Sequence, residues 1–359
     1  MNLHREVHFE NDIGEHLAAS GWLYSPDDAG FDRELGLYTP DLLEWLRETQ
    51  PKAWETLVKD HGSRAEAMVL KAVRSALNSS GTLDVLRFGF DVIGHRKPLL
   101  AAQCRPALNV NPEITARYAA NRLRVIRQVH YSPHHQNSLD LVLLLNGIPV
   151  ATAELKTDFT QSIDDAVDQY RFDRLPTVKG KGSNEPLLAF PGGAVVHFAV
   201  SSSEVWMTTK LEGEATRFLP FNLGNDGAAG NPLNPAGYRT SYLWEHIWQR
   251  DSWLEILGRY MVGVRNDKQQ LTGLIFPRFH QLDATRKLVA AVLQDGPGNR
   301  YLIQHSAGSG KTNSIAWSAH FLADLHDAGN RKVFDSVLVI SDRNVIDTQL
   351  QDAIFSFER

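Results

Sequence analysis

The chain has 359 residues, 37 of them basic and 42 acidic, for a formal charge of −5. That length admits two or three domains, and the charge balance excludes a protein that holds nucleic acid by global charge, so any such surface has to be local. With Cys104 as the only cysteine there is neither a disulfide framework nor a thiolate zinc site, and the longest aliphatic run, Leu141 to Leu145, is too short to cross a bilayer; a cytoplasmic protein without membrane contact is expected.

In chain order, apolar residues at helical spacing predict helices over Glu10 to Ser20, Pro40 to Thr49, Pro51 to Asp60 and Arg64 to Leu77, with both prolines at first-turn positions. From Leu83 to Lys156 the rhythm becomes one of strands: LDVLRFGFDVIG, RLRVIRQVHY and the hairpin NSLDLVLLLNGIPVATAELK suggest a mixed or antiparallel sheet. A helix over Ser162 to Asp173 follows, then a second strand pair in GAVVHFAVSSSEVWMTTKL. The loop FNLGNDGAAGNPLNPAG reads as irregular and exposed, and Tyr242 to Met261 as helix.

A boundary is expected near Val264 to Thr272, giving one domain over 1–262 and the start of another over 263–359. Beyond it the pattern is α/β: helix His280 to Leu293, strand Arg300 to Gln304, a glycine-rich turn, helix Lys311 to Leu325, strand Ser336 to Ser341, and a helix from Asn344.

The hairpin raises a chemical question, because an apolar strand pair carries Asp140 on one arm and Glu154 and Lys156 on the other. Glu154 and Lys156 share a face, being two apart; Asp140 joins them only in one register. A two-residue loop would set Asp140 opposite Ala153, whereas a three-residue loop over Asn146 to Ile148 sets it opposite Glu154, so the longer turn is predicted. Two carboxylates converging there repel unless a cation lies between them. Mg²⁺ suits their oxygens and a backbone carbonyl such as that of Leu155. Such an ion lowers the pKa of a water and offsets charge on a phosphate, with Lys156 to steer or deprotonate that water. The plain alternative is a polar hairpin end facing solvent.

Four arginines without a nearby carboxylate in sequence, Arg117, Arg122, Arg124 and Arg127, fall on or beside the strand expected next to Asp140, and form a candidate DNA-phosphate patch. His130, His134 and His135 are better read as polar loop residues than as zinc ligands. Glu10 and Glu15 on the first helix could approach the metal, although solvated helix glutamates are the default.

The second signal is LIQHSAGSGKTNS. Gly308, Ser309, Gly310, Lys311 and Thr312 form a phosphate loop before a helix, with Lys311 placed for the β- and γ-phosphates of ATP and the Thr312 hydroxyl for Mg²⁺. The first glycine of the usual pattern is replaced by His305. A Ser/Gly turn that merely caps a helix is the alternative. Gln281, upstream in FPRFHQLDA, stands where superfamily-two helicases carry an adenine-reading glutamine. SVLVISDRNVIDTQ, with Asp342 followed by Arg343, reads as a DNA-contacting segment rather than as a second ATPase motif. With no acidic pair or second motor lobe before Arg359 the chain looks truncated, able to bind nucleotide weakly but not to turn it over.

The combination resembles the restriction (R) subunit of type I restriction-modification enzymes. The resemblance rests on FENDIGEHLAASGW, GTLDVLRFGF, NRLRVIRQVHYS, NSLDLVLLLNGIPVATAELK, FLPFNLGNDGAAGNP before YRTSYLWEHIW, FPRFHQLDATRKLV and HSAGSGKT, in that order. It implies an α/β chain: an α+β nuclease domain of the PD-(D/E)xK type with a mixed sheet, followed by an incomplete RecA-like helicase lobe. Asp140, Glu154 and Lys156 would take the catalytic places. The family's Gln-x-x-x-Tyr element maps Gln169 onto its glutamine, while Asp173 stands at the tyrosine position and Tyr170 lies adjacent. The resemblance further implies double-stranded DNA as substrate, modification (methyltransferase) and specificity subunits as partners, and cutting coupled to ATP-driven translocation. Two other readings remain: a stand-alone nuclease-helicase of repair or phage defence, and a DNA-binding or docking module with a silent nuclease centre.

Overall fold

The computed structural model describes residues 3–106, 108, 110–158, 161–341, 351, 353 and 354. Helix α1 (Leu3–Ala19) leads through β1 (Leu23–Ser25) and the small hairpin β2 (Phe31–Asp32) and β3 (Leu37–Tyr38) into α2 (Thr39–Thr49), α3 (Pro51–His61) and α4 (Ala65–Ser80). Pro40 and Pro51 occupy the first turns of α2 and α3 as expected, where a missing N–H costs nothing.

The next segment departs from expectation. LDVLRF is not a strand but a short helix, α5 (Thr82–Phe88). Leu83, Val85 and Leu86 are all buried while Phe88 is exposed, a distribution that one helical turn achieves and an alternating strand does not. Gly89 ends it with φ 82°, and a Cβ there would lie 2.1 Å from the Leu99 carbonyl oxygen. Here tertiary packing overrides local β-propensity.

After α6 (Pro112–Ala120) comes the central sheet: β4 (Leu123–His130), β5 (Ser138–Leu145), β6 (Ile148–Leu155), then β7 (Val196–Val200), β8 (Val205–Thr208) and β9 (Leu219–Pro220). Its order is β1-β4-β5-β6-β7-β8-β9, with β1–β4 and β6–β7 parallel and the other pairs antiparallel. One face packs on α1 to α5 and on the 242–261 segment. The other is covered by α7 (Ile163–Asp168) and a π-helical turn, Gln169–Asp173, which together replace the single helix expected over 162–173.

The β5–β6 hairpin corrects the predicted loop. Leu145 pairs with Ile148 and Leu144 with Pro149, so the turn is the two-residue Asn146-Gly147, with φ 50° and 77°. The tight turn is enforced by its surroundings. Buried Asn146 accepts from the Arg122 N–H and donates to Ala101 O and Asn121 Oδ1, and Gly147 O accepts from the Tyr38 N–H, so close that a Cβ on Gly147 would fall 2.2 Å from Tyr38 O. The extra residue lies inside β6 instead. Leu143 pairs with Ala151, so Val150 is bulged, and the ladder continues with Leu141 opposite Ala153. Pro149 has no N–H to contribute to the ladder, which makes this the least disruptive place for a bulge. One step further along that register Asp140 stands opposite Glu154, as a three-residue loop would have placed it.

The glycine- and proline-rich loop is irregular but not loose: Asn231, only 3% exposed, donates to Ser203 O and Asn222 Oδ1, and Thr240 Oγ1 donates to Ser201 O. The predicted 242–261 helix is broken into two π-helical turns, Leu243–Ile247 and Ile256–Tyr260, flanking α8 (Arg250–Glu255). The segment expected to be a boundary forms an antiparallel ribbon, β10 (Val262–Arg265) and β11 (Leu271–Ile275), leading into α9 (Phe279–Asp295) and α10 (Lys311–Ala323).

The strands expected at 300–304 and 336–341 do not form, and Leu302, Leu338 and Ile340 are 88%, 86% and 91% exposed. A parallel strand needs paired neighbours and helices on both faces, and among the described residues these segments have no ladder partner. The expected helix from Asn344, and Asp342 and Arg343, lie outside the described residues.

Candidate active site

The site lies where β5 and β6 emerge on the α7 face. Asp140 Oδ2 accepts from the Leu155 N–H at 2.7 Å and Oδ1 from Gln128 Nε2 at 3.2 Å, which ties the aspartate across the hairpin. Gln128 sits in a left-handed conformation, φ 48°, opposite Asp140, and its amide also donates to Glu10 Oε1. Glu154 is wholly buried. Arg174 Nε donates to its Oε1 at 2.6 Å, while its Oε2 is buried with no hydrogen-bond partner. Burial, and then the neighbouring Asp140, push the Glu154 carboxyl well above the usual carboxylate range, with Arg174 opposing.

Lys156, 4% exposed, places Nζ 3.8 Å from Glu6 Oε1, so α1 delivers two acids to this end of the sheet. Glu10 is 2% exposed and is held by Arg127 and Gln128; burial first and Asp140 second raise its pKa. Burial likewise raises that of Glu6. Glu15 is exposed. Gln169 turns a buried Oε1 without a partner toward the interior, and the adjacent Tyr170 is buried, its hydroxyl 2.7 Å from Thr152 Oγ1, which in turn meets His197 Nδ1 at 2.7 Å. Burial holds His197 down to about 3, so its imidazole is neutral.

The residues that sequence reasoning missed are Arg174, Glu6 and Gln128. Arg174 lies five residues beyond Gln169, and the π-helical turn, a feature frequent at functional sites, swings it back to Glu154. No local pattern distinguishes Gln128 or Glu6.

Three of the four arginines expected as a free basic patch are engaged. Arg122 pairs with Glu44 and Glu48, Arg124 with Asp41 at 2.6 Å, and Arg127 with Glu10, while Arg117 lines a cavity beside α2 and α6 with Glu48 and Glu113. The carboxylates absent from the arginine-rich sequence stretch are supplied by α1 and α2. His130 meets Asp28 and His135 meets Glu185.

Among the described residues no group of three or more His, Cys, Asp or Glu side chains is gathered for a metal ion. A hard divalent cation would be served by two carboxylates, Asp140 and Glu154, and by a backbone carbonyl such as that of Leu155. The donor set fits oxygen-loving Mg²⁺, and the orphaned Glu154 Oε2 is the polar atom that lacks a counterpart.

At the phosphate loop, Gly310 caps α10 and Lys311 Nζ donates to His305 O and Ser306 O at 3.3 and 2.8 Å. Gln281, 3% exposed, donates to Ser309 O and Gly310 O. Its amide is thus spent on the loop backbone. Thr312 follows in the first turn of α10, Gly308 lies in the loop, and the Ser309 hydroxyl is buried without a partner. His280 stacks edge-on against His305.

Residues 111–216, which contain Asp140, Glu154, Lys156, Gln169 and Arg174, match the family model described as type I restriction enzyme R protein N terminus. The chain is also similar to the "Putative type I restriction enzyme MjaVIIIP endonuclease subunit" of Methanocaldococcus jannaschii, 22% identical over 367 residues; the match covers 98% of this chain and 32% of that relative. The chain thus spans about a third of the length of the curated relative it matches. The resemblance to the R subunit of type I restriction enzymes is borne out by these two matches. No helix among the described residues is long and apolar enough to cross a membrane.

Proposed function

We propose that this chain carries the nuclease centre of a type I restriction enzyme R subunit and cleaves double-stranded DNA with Mg²⁺. The observation that carries the reading is the pairing of Asp140 with Glu154 on one face of a bulged hairpin, beside Lys156 and with Glu154 Oε2 buried and unpartnered. Mg²⁺ bound there would lower the pKa of a water and offset charge on the scissile phosphodiester. Asp140, tied to the Leu155 N–H and to Gln128, and Glu154, oriented by Arg174 with its Oε2 unpartnered, are the two carboxylates that would hold the ion. Lys156, nearly buried and near Glu6, would supply a donor for the phosphate or the attacking water, and Gln169, its buried Oε1 unpartnered, is proposed to assist.

Gly308, Ser309, Gly310, Lys311 and Thr312 are proposed as an ATP phosphate loop supporting a helicase-like motor, with Gln281 bracing that loop; modification and specificity subunits are the proposed partners. The test is Mn²⁺ titration of the chain by calorimetry, followed by a crystal soak. One ion between Asp140 and Glu154, lost in Asp140→Asn together with DNA cleavage, is expected; cleavage that survives Asp140→Asn and Lys156→Ala would place the cutting site elsewhere.

A further inference from the structure

With Arg124 and Arg127 committed to buried carboxylates and Arg122 paired with Glu44 and Glu48 at the surface, a DNA strand at this centre calls for other cations. One such cation lies beside the carboxyl ends of β6 and β7. Those strands are parallel neighbours, with Leu155 paired to Val200 and the Lys156 N–H donating to Val200 O, and ligands of α/β sheets bind in the crevice beyond such strand ends. The chain directly after them, Asp158 on one side and Ser202 and Ser203 on the other, forms the floor of a cavity of about 480 Å³ closed by Leu233, Asn234, Gly237, Tyr238 and Arg239.

The cavity is a built one. The Arg239 N–H donates to Ser202 O, the Asp158 N–H to Ser202 Oγ, Asn234 Nδ2 to Tyr238 O, and the Tyr238 hydroxyl to Asp12 of α1, the helix that brings Glu6 and Glu10 to the centre. The loop is fixed by buried polar side chains, yet Leu233 remains 76% exposed and, among the described residues, no carboxylate pairs with the half-buried Arg239 guanidinium. A fixed loop whose cavity is lined by an arginine that no carboxylate pairs with among the described residues, and by an exposed leucine, offers a phosphate its charge and a deoxyribose its apolar edge. Asp158, on the exposed rim, is the one acid lining the cavity.

We propose that this cavity binds a backbone phosphate of the DNA strand next to the cleaved bond, with Arg239 as its cation. The inference rests on the endonuclease reading of Asp140, Glu154 and Lys156. It is tested with the whole chain by fluorescence anisotropy of a labelled duplex in Ca²⁺ across a salt series, and by steady-state cleavage in Mg²⁺. Arg239→Ala is expected to weaken DNA binding about tenfold, to lower the slope of log affinity against log salt by about 0.9, and to raise KM with kcat within about twofold. Arg239→Lys keeps the slope. Arg239→Ala that binds and cuts as the parent does overturns the subsite and leaves the nuclease centre standing. Weakened binding of a mononucleotide with unchanged duplex binding assigns the cavity to free nucleotide and also overturns it. Cleavage that persists in Asp140→Ala and Lys156→Ala sinks the nuclease reading, and with it the proposal.

Discussion

The hairpin centre and the glycine-rich turn hold their charged side chains in different ways. At the centre Glu154 is met by Arg174, Lys156 by Glu6 and Glu10 by Arg127, while Asp140 is held by Gln128 and the Leu155 N–H. At the glycine-rich turn the lysine has only local partners, while Gln281 holds the backbone from 28 and 29 residues upstream. Lys311 donates to carbonyls five and six residues behind it, and the flanking apolar segments expose Leu302, Leu338 and Ile340. A site closed by long-range contacts is fixed by the fold as a whole. At the glycine-rich turn the Lys311 ammonium rests on nearby backbone carbonyls, while the turn itself is held by Gln281.

That contrast can be broken most forcefully at Lys156. Replacing Lys156 or Asp140 by Ala should reduce Mg²⁺-dependent cleavage by roughly a thousandfold, while circular dichroism shows the fold intact. Equal loss of structure and activity would make these residues architectural. Next in size is Arg174→Ala, which strands a buried carboxyl group and should cost about 3 kcal/mol in urea unfolding; a change near zero would show that Glu154 is held by something else. Arg124→Ala should cost a similar amount by freeing Asp41, and yet leave the salt dependence of DNA binding unchanged, because its charge is already internal.

A smaller effect distinguishes Glu154 by pH. Its folded pKa is raised above the reference value of 4.5, so without divalent ions the protonated form contributes stability that is complete below that value. The contribution is lost as pH rises through the folded pKa. Glu154→Gln should therefore flatten metal-free stability above pH 4.5, measured by urea midpoints in EDTA; parallel curves for the two proteins would refute the burial argument. The smallest effect is expected at Lys311→Ala, which should leave the urea midpoint unmoved while abolishing what ATP binding the chain shows by fluorescence titration. A large drop in midpoint would mean that the loop is a structural element after all.

Much of the helical layer and most of the strands were legible because Pro40, Pro51 and the alternation in 122–131 act within a few residues. Asp140, Glu154 and Lys156 were legible as a group of residue types, and the structure brings them to one end of the hairpin. The way they meet was not legible: the turn length was misjudged because the buried Asn146 network and the approach of Tyr38 come from elements about a hundred residues upstream or twenty or more before the turn. The same blindness applies to the arginines. Asp41 and Glu10, which neutralise Arg124 and Arg127, lie 83 and 117 residues away in sequence, beyond what local charge patterning can report. LDVLRF failed for a related reason, since its burial is set by what packs on it.

The bulge at Val150 makes the centre sensitive to insertions and deletions that touch none of its chemistry. Removing that one valine would rotate the far half of the strand by half a turn, sending Glu154 into the oily interior among the helices and bringing Leu155 round in its place. An alignment of relatives scored only on the three charged positions would miss such a loss. The spacing between the Asn-Gly tip and the glutamate is thus as much a part of the site as the three charges.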